Sequence, residues 1–410
     1  MKSAAVISIG NELLTGTKVD TNASYLCREL LSCGVATGSI LTIGDDVQAI
    51  VDAFKMATDA ADIVLVTGGL GPTGDDLTRQ SLADFLGVKL EFHQELFDQI
   101  SAFFARIGRE MSNTNRVQAF LPAGAQALVN SIGTAPGIAV QTRGKFIACM
   151  PGVPVEMKNM FAEHLAARLK EIAHGQGVVT RKLMCYGTGE SAIAAILGDR
   201  MERGRNPLVN TTASAGVVTV HVVASAPERA AAERMAQCRQ DELRDLLGDI
   251  VYGQDDQTLA EVVGRVLTQC GKTLCVAESC TGGLLGKMIT DMPGATAFFK
   301  CGWITYSNEA KVRDLNVDAA WIEEHGAVSE PVAAAMAQGA RSRAAADYAL
   351  AITGIAGPAG GTEQKPVGLV YIALDAPKGT TCRRFLLSSS RQDIRLRSAL
   401  AALDMLRRDL

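Results

Sequence analysis

The run Ala277-Glu278-Ser279-Cys280-Thr281-Gly282-Gly283 ends a β-rich stretch and precedes a helical one. A hydroxyl placed there sits beside free N–H groups at a helix N-terminus, where an oxyanion is stabilised. Ser279 is therefore a candidate nucleophile and Thr281 a candidate cap. The plainer alternative is a serine that caps the helix and does nothing else. Cys280 is a rival nucleophile, although a thiol at a strand–helix junction is more often buried and inert. A serine needs a base. His325, in the loop HGAVS, is the one histidine in this third of the chain, and Lys311, which closes Tyr306-Ser307-Asn308-Glu309-Ala310-Lys311, is the alternative. Lysine serves as a base when burial or neighbours lower its pKa toward neutrality, with Tyr306 able to relay a proton. The bland reading of Lys311 is a solvated helix charge.

A second glycine loop, Thr353-Gly354-Ile355-Ala356-Gly357-Pro358-Ala359-Gly360-Gly361, closes another expected strand and faces the first if the sheet is parallel. Lys365, Arg391 and Arg395 are cations that could hold a substrate phosphate; Arg391 and Arg395 lie one helical turn apart, so both can address one anion. Near the other end, Gly68-Gly69-Leu70-Gly71-Pro72-Thr73-Gly74-Asp75-Asp76-Leu77-Thr78 follows a buried-looking strand. Its glycines leave backbone N–H groups free to approach an anion. Asp75 and Asp76 would repel a bare phosphate, which points to a bridging cation held by oxygen ligands; helix capping is the alternative for one aspartate but not for the glycine run. The loop is neither a Walker A sequence nor G-x-G-x-x-G. Two further loops, GTAPG (Gly133, Thr134, Pro136, Gly137) and PGVP (Pro151, Gly152, Pro154), join it at the same sheet edge with Asn11 and Glu12. Together they read as a site for a phosphorylated, nucleotide-like ligand.

The elements that must position these groups alternate. Strands are expected at 4–9, 40–43 and 62–67, with helices from Thr21 and over 45–61, where apolar residues recur at i, i+3, i+4, i+7. Residues 10–20 read as a loop. Such βαβαβ order implies a parallel sheet with right-handed crossovers and a ligand at the carboxyl ends of its strands. Helices follow over 92–107 and 113–120, then a strand at 146–150. HGQGV at 174–178 is an expected boundary. Residues 180–250 read as a small α+β connector whose Arg200, Arg203 and Arg205 are weak evidence for RNA. A third unit begins near Asp255, with strands at 273–277, 298–306 and 348–353, a long helix at 330–345, two more strands and a terminal helix from about 392. The chain has 410 residues, which at roughly 100–200 per domain makes two to four domains. Its 40 basic and 44 acidic side chains give a net charge of −4, which disfavours nucleic acid or an anionic membrane as main partner. Ten cysteines without a C-x-x-C pair exclude zinc-ribbon and thioredoxin motifs and suit a reducing compartment. No apolar run reaches the ~18 residues of a membrane helix, so the expected location is cytoplasmic.

The chain resembles the CinA family of competence/damage-inducible proteins. The motifs are GNELLTG at 10–16, DTN at 20–22, GGLGPTGDDLT, GTAPG, PGVPVEM, AESCTGG, YSNEAK, HGAVSE, TGIAGP and KPVG at 365–368. The resemblance implies a multidomain α/β protein. It has a Rossmann-like three-layer α/β/α domain similar to MoaB/MogA molybdopterin-binding domains (1–173), a KH-like α+β linker (174–252), and a C-terminal α/β domain of the nicotinamide mononucleotide deamidase type (253–410). It implies hydrolysis of nicotinamide mononucleotide to nicotinate mononucleotide and ammonia without a cofactor. Ser279 would be the nucleophile, Lys311 and Tyr306 its activating neighbours, and Thr353 with Gly354, Ala356, Gly357, Gly360 and Gly361 would position the carboxamide. Thr281, Gly282 and Gly283 would supply the oxyanion donors, with Arg391 and Arg395 on the phosphate. The family's Gly-Asp-Arg approach to the last helix is Ser389-Ser390-Arg391 here. For the first domain the resemblance implies an ADP-ribose pyrophosphatase that needs a divalent metal, with or without potassium, near Asp75 and Asp76. Asn11, Glu12, Gly68, Gly69, Gly71, Pro72, Thr73, the two loops above and Glu156 would hold the nucleotide. The alternative is a non-catalytic nucleotide or molybdopterin binder. A homodimer is expected by analogy.

Overall fold

Alternation along β1 (Ser3–Ile9) sets the plan of the first sheet. Ala4 and Val6 join one buried cluster with Leu26, Leu30, Met157 and Phe161, while Ala5, Ile7 and Ile9 join another with Ile50, Phe54 and Leu82. A strand apolar on both faces needs helices on both sides, which is the three-layer arrangement expected. The other strands are β2 (Ala36–Ile43), β3 (Ile63–Thr67), the short pair β4 (Leu90–Phe92) and β5 (Phe120–Pro122), then β6 (Gln126–Leu128), β7 (Gly137–Thr142) and β8 (Lys145–Met150). The main sheet runs β2-β1-β3-β8-β7-β6. β1, β2, β3 and β8 are parallel, whereas β7 and β6 are antiparallel additions at one edge. Because β7 runs against β8, the start of β7 at Gly137 and the end of β8 at Met150 lie at the same sheet edge. Residues 10–20 are not wholly a loop, since Asn11–Leu14 forms one helical turn, and Asn113–Ala119 is 3-10 rather than α.

The computed structural model describes residues 2–173 and 177–410. The chain divides into two compact units, Met1–Thr180 with Val223–Ala236, and Arg181–Val222 with Gln237–Leu410. The boundary expected at 174–178 falls in part on residues 174–176, outside the described residues. The expected connector is built on β9 (Gly177–Tyr186), β10 (Leu208–Ser214), β11 (Val217–Ala226) and β12 (Val251–Gln254), in the order β10-β11-β9-β12.

The C-terminal sheet consists of β13 (Leu274–Glu278), β14 (Phe299–Ile304), β15 (Tyr348–Gly354), β16 (Leu369–Ala376) and β17 (Gly379–Leu386), in the order β14-β13-β15-β16-β17. β14, β13 and β15 are parallel, and β16 and β17 return antiparallel. Leu274 and Val276 face a cluster with the helices Leu259–Gln269, Leu284–Thr290 and Arg391–Asp409. Cys275 and Ala277 face a second cluster built on Glu330–Ala344. Fully burying each large aliphatic side chain in such layers stabilises the fold by about 1.5–3 kcal/mol. No described helix is long and apolar enough to cross a membrane.

One close approach fixes the helix that carries Lys311. Asn308–Leu315 ends where Gly339 of the Glu330–Ala344 helix passes against the Leu315 carbonyl, and a Cβ at 339 would collide with that oxygen. Gly339→Ala is therefore expected to destabilise the protein by about 1–3 kcal/mol, since backbone cannot yield as a side-chain tip does. The midpoint of urea unfolding checks this, and an unchanged midpoint would contradict the packing.

Candidate active site

Strand register builds the C-terminal site. Glu278, the last residue of β13, lies level with Ile304 of β14 and Ile352 of β15. The residues that follow, Ser279, Thr305 and Thr353, therefore emerge together at the carboxyl edge. The Ser279 N–H donates to the Ile352 carbonyl at 2.9 Å and the Thr305 N–H to the Glu278 carbonyl at 2.8 Å. From β14 the chain turns through Tyr306 into the Asn308–Leu315 helix, whose Ser307 cap accepts from the Ala310 N–H at 3.1 Å. One turn in, Lys311 points back to the strand ends.

Its Nζ lies 3.2 Å from Ser279 Oγ and 2.8 Å from the Thr305 carbonyl, with the Tyr306 and Ser307 carbonyls at 3.4 and 3.5 Å. Lys311 is 1% exposed and Ser279 8%. Among the described residues no carboxylate forms an ion pair with this amine. Burial holds its pKa below the ordinary lysine value, against a weaker pull from Cys280 and Glu309. Once deprotonated, the amine keeps two N–H bonds for these carbonyls and offers its lone pair to the Ser279 hydroxyl proton. The solvated-charge reading of Lys311 is thus replaced by a buried serine–lysine pair.

The alternatives to this pair fall away physically. His325 ends an exposed helix, with its imidazole 3.7 Å from Glu324 and no hydrogen bond to Ser279. Burial pushes the Cys280 thiol up to about 11, so it stays protonated. Tyr306 is exposed, and its hydroxyl meets Arg391 Nη2 at 3.4 Å rather than the Lys311 amine. Only its carbonyl touches Lys311, so the proton-relay expectation finds no support in the hydroxyl's position.

Glu278 changes the assignment of donors. Its carboxylate, 1% exposed, accepts the N–H groups of Gly283 and Leu285 at 3.0 Å and of Gly286 at 2.8 Å. The Gly282 N–H donates to the Ser279 carbonyl at 3.1 Å. The amides of Gly282 and Gly283 are therefore consumed, and Thr281 does not cap the helix, because Glu278 does. The Thr281 N–H has no partner among the described residues and the Cys280 N–H meets only its own thiol, so the backbone donors left over lie next to Ser279. The Thr281 and Thr305 hydroxyls are buried without a partner there too. Sequence reading passed over Glu278; a carboxylate five residues ahead of a helix N-terminus was the signal available.

The basic residues tie loops together. Arg395 donates to the Thr281 carbonyl through Nε at 3.2 Å and Nη2 at 2.6 Å. Arg391 donates to the Gly357 carbonyl at 2.6 Å. Each keeps further N–H bonds for a ligand, but Lys365 is directed to the His325 carbonyl. Thr353 donates to the Ala327 carbonyl at 2.8 Å, which fixes the HGAVS loop. Gly354 and Gly361 are packed so that a Cβ would strike the 366–370 segment; Gly357 and Gly360 have φ of 74° and 90°, and Ala356 is buried between them. A concavity of about 790 Å³ in this unit lies against Glu261, Arg265, Met292 and Phe298 and includes none of these residues.

In the first unit the glycine loop and the PGVP and GTAPG loops do share the carboxyl edge. Asn22 Nδ2 donates at 2.9 Å to both Thr67 Oγ1 and the Gly152 carbonyl, and Thr67 Oγ1 donates to the Pro151 carbonyl at 3.0 Å. Glu156, beside Pro154 in the first turn of its helix, accepts from Asn130 Nδ2 at 2.7 Å, which also holds the Ala135 carbonyl; Gly133 passes close to both side chains. Gln118 reaches Thr134 Oγ1 at 3.4 Å. A cavity of about 290 Å³ adjoins Gly133, Thr134 and Pro136 and is lined by Ile100, Phe103 and Arg106. Asn11 pairs instead with Asp45, and Glu12 folds over Gly10 toward Lys18. Asp75 is exposed, while Asp76 accepts from the Thr73 N–H and hydroxyl, so it caps the turn after Gly71-Pro72. Among the described residues no three His, Cys, Asp or Glu side chains gather to hold a metal.

Three families match along the chain. They are the probable molybdopterin binding domain over residues 5–171, the damage-inducible protein CinA KH domain over 180–253, and the CinA C-terminal domain over 256–410. A CinA-like protein of Gloeobacter violaceus is 44% identical over 412 residues, covering 100% of this chain and 96% of its own. A putative competence-damage inducible protein of Caldanaerobacter subterraneus is 40% identical over 405 residues, covering 99% and 98%. The crystal structure of competence/damage inducible protein CihA from Agrobacterium tumefaciens is 41% identical, covers 36% of this chain and 91% of its own, and has a TM-score of 0.36.

The Glu278 clamp yields a direct expectation. Glu278→Gln replaces one acceptor oxygen by an NH₂ that faces backbone donors, so it should destabilise the C-terminal fold by about 1–3 kcal/mol. A thermal melt reads this, and a variant that melts with the parent would contradict the clamp.

Proposed function

The chain belongs to the CinA family of competence/damage-inducible proteins, and on that premise we propose that its C-terminal domain is an amidohydrolase acting on nicotinamide mononucleotide. The observation that carries the reading is the buried contact of Lys311 Nζ with Ser279 Oγ at the shared edge of three parallel strands. Ser279 Oγ attacks the carboxamide carbon while Lys311 takes the hydroxyl proton. The N–H groups of Cys280 and Thr281 hold the developing oxyanion. Lys311 returns the proton to the amide nitrogen, the C–N bond breaks, and ammonia leaves an acyl group on Ser279. Water, deprotonated by Lys311, attacks the acyl carbon and releases nicotinate mononucleotide. The unspent N–H bonds of Arg391 and Arg395 suit the phosphate.

The first domain supports a second reading, a nucleotide site that cleaves ADP-ribose with a divalent metal. It is favoured by the convergence of the glycine, PGVP and GTAPG loops. The donor set suits magnesium, which binds through one or two carboxylates together with substrate phosphates. Asp75, with its exposed carboxylate, and the remaining oxygen of Asp76 would hold it, and the metal would neutralise charge on the diphosphate. Asp76→Ala or a chelator should then abolish release of AMP from ADP-ribose, and cleavage untouched by both would remove this assignment.

Ammonia release from nicotinamide mononucleotide, followed with the parent and Ser279→Ala, tests the amidohydrolase. Release by the parent alone is expected; release by both would discard Ser279 as nucleophile. The parent's pH profile has a definite sign. Burial favours neutral Lys311, so the free base accumulates as pH rises through a pKa below the ordinary 10.5. The acid limb of kcat/KM should lie beneath that value, and a limb at or above it would contradict lysine as the base.

A further inference from the structure

Arg79 is the second residue of the Thr78–Leu86 helix and is only 5% exposed. Side chains at a helix start lean back toward the N-terminus, and Arg79 Nη2 accordingly donates to the Leu70 carbonyl, in the middle of the glycine loop, at 2.8 Å. Among the described residues no carboxylate forms an ion pair with it. Asp76 is the nearby acid, and its Oδ2 is already held by Thr73. A buried guanidinium cannot escape its desolvation cost by losing a proton near neutral pH, as a lysine can. Burial does weaken its proton affinity, to a pKa of about 10, still well above neutrality. The charge is therefore present, with Asp76 acting on it only at longer range and no ion-pair partner among the described residues.

The loop above it is short of acceptors. The Gly68 N–H donates to Met150, the Thr73 N–H to Asp76, and the Thr78 N–H to Gly69. The N–H groups of Gly69, Leu70 and Gly71 have no partner among the described residues. A trans peptide points its C=O and N–H in opposite directions. By drawing the Leu70 carbonyl inward, Arg79 turns the Gly71 N–H of the same peptide outward, to the sheet edge where the PGVP loop also arrives. Gly68 and Gly69, at φ of 107° and 65°, permit this path.

We propose that the buried Arg79 is a positioning residue for the nucleotide site of the first domain, orienting the amides of the Gly69–Gly71 loop and supplying the counter-charge for a diphosphate held there. The inference rests on the nucleotide reading of the first domain and adds the residue that supplies the charge. Three backbone donors and one fixed cation suit a diphosphate better than a neutral ligand.

Titration calorimetry of the full chain with ADP-ribose, and separately with inorganic pyrophosphate, in magnesium-containing buffer tests it. Arg79→Gln keeps a donor for the Leu70 carbonyl but removes the charge; Arg79→Lys keeps the charge without the guanidinium fork. Arg79→Gln should bind both probes at least about tenfold more weakly, and Arg79→Lys should fall between it and the parent. Without ligand, Arg79→Gln should melt at or above the parent's temperature, because an uncompensated buried charge has gone. A merely structural arginine would instead lower the melt and leave affinity per folded molecule unchanged. Parent-like binding by Arg79→Gln would overturn the role of Arg79 and leave the nucleotide reading standing. A parent that binds neither probe would overturn both.

Discussion

The C-terminal site depends on holding a lysine amine out of water with no carboxylate in an ion pair with it among the described residues. Lys311 meets the Thr305, Tyr306 and Ser307 carbonyls and one hydroxyl, and desolvation lowers its pKa from the ordinary lysine value. Everything around it serves that placement. Parallel pairing of β14, β13 and β15 brings Ser279 and Thr305 level. Ser307 starts the helix at the right turn, and Gly339 lets a second helix close over the end of it. Arg79 in the first unit meets the same physics with the opposite outcome. A guanidinium stays charged, so its burial calls for an anion, and the unpaired amides of the loop it anchors supply the rest of a receptor.

Glycines and acids in these loops mostly shape backbone. Glu278 gathers the donors at the start of the Leu284–Thr290 helix, which leaves the two amides nearest Ser279 as the donors open to a ligand. Gly68 and Gly69 are needed because the chain passes the Ile9 carbonyl and Thr78 too closely for a Cβ. Asp76 closes a turn. Gly68, Gly69 and Asp76, which sequence alone offers to a ligand, are first engaged by the protein, and the ligand meets what remains.

The sheet of each unit was legible because its central strands are apolar on both faces and end in glycine loops, a pattern that parallel strands produce. β4 to β6 and β10 were not, being short or edge strands with weak alternation. Ser279 stood out through its strand–loop–helix setting, and Lys311 could be named only as one of two bases. The choice between Lys311 and His325 needed three dimensions, since neither spacing nor composition tells which side chain turns inward. Glu278 and Arg79 escaped notice because each acts on backbone groups, which have no letter in the sequence. The one-turn spacing of Arg391 and Arg395 suggests a pair aimed at one anion, whereas each is fastened to a different loop carbonyl.

The central claim is that burial lowers the pKa of Lys311 from the ordinary lysine value and so opens its neutral form to base chemistry. Carbon-13 labelling of lysine side chains, with the Lys311 signal assigned by its loss in Lys311→Arg, allows its titration to be followed directly by NMR. A midpoint well below the ordinary lysine value of 10.5 is expected, and it should persist in Ser279→Ala, because burial and not the serine sets it. A Lys311 that titrates at or above that value would contradict the account.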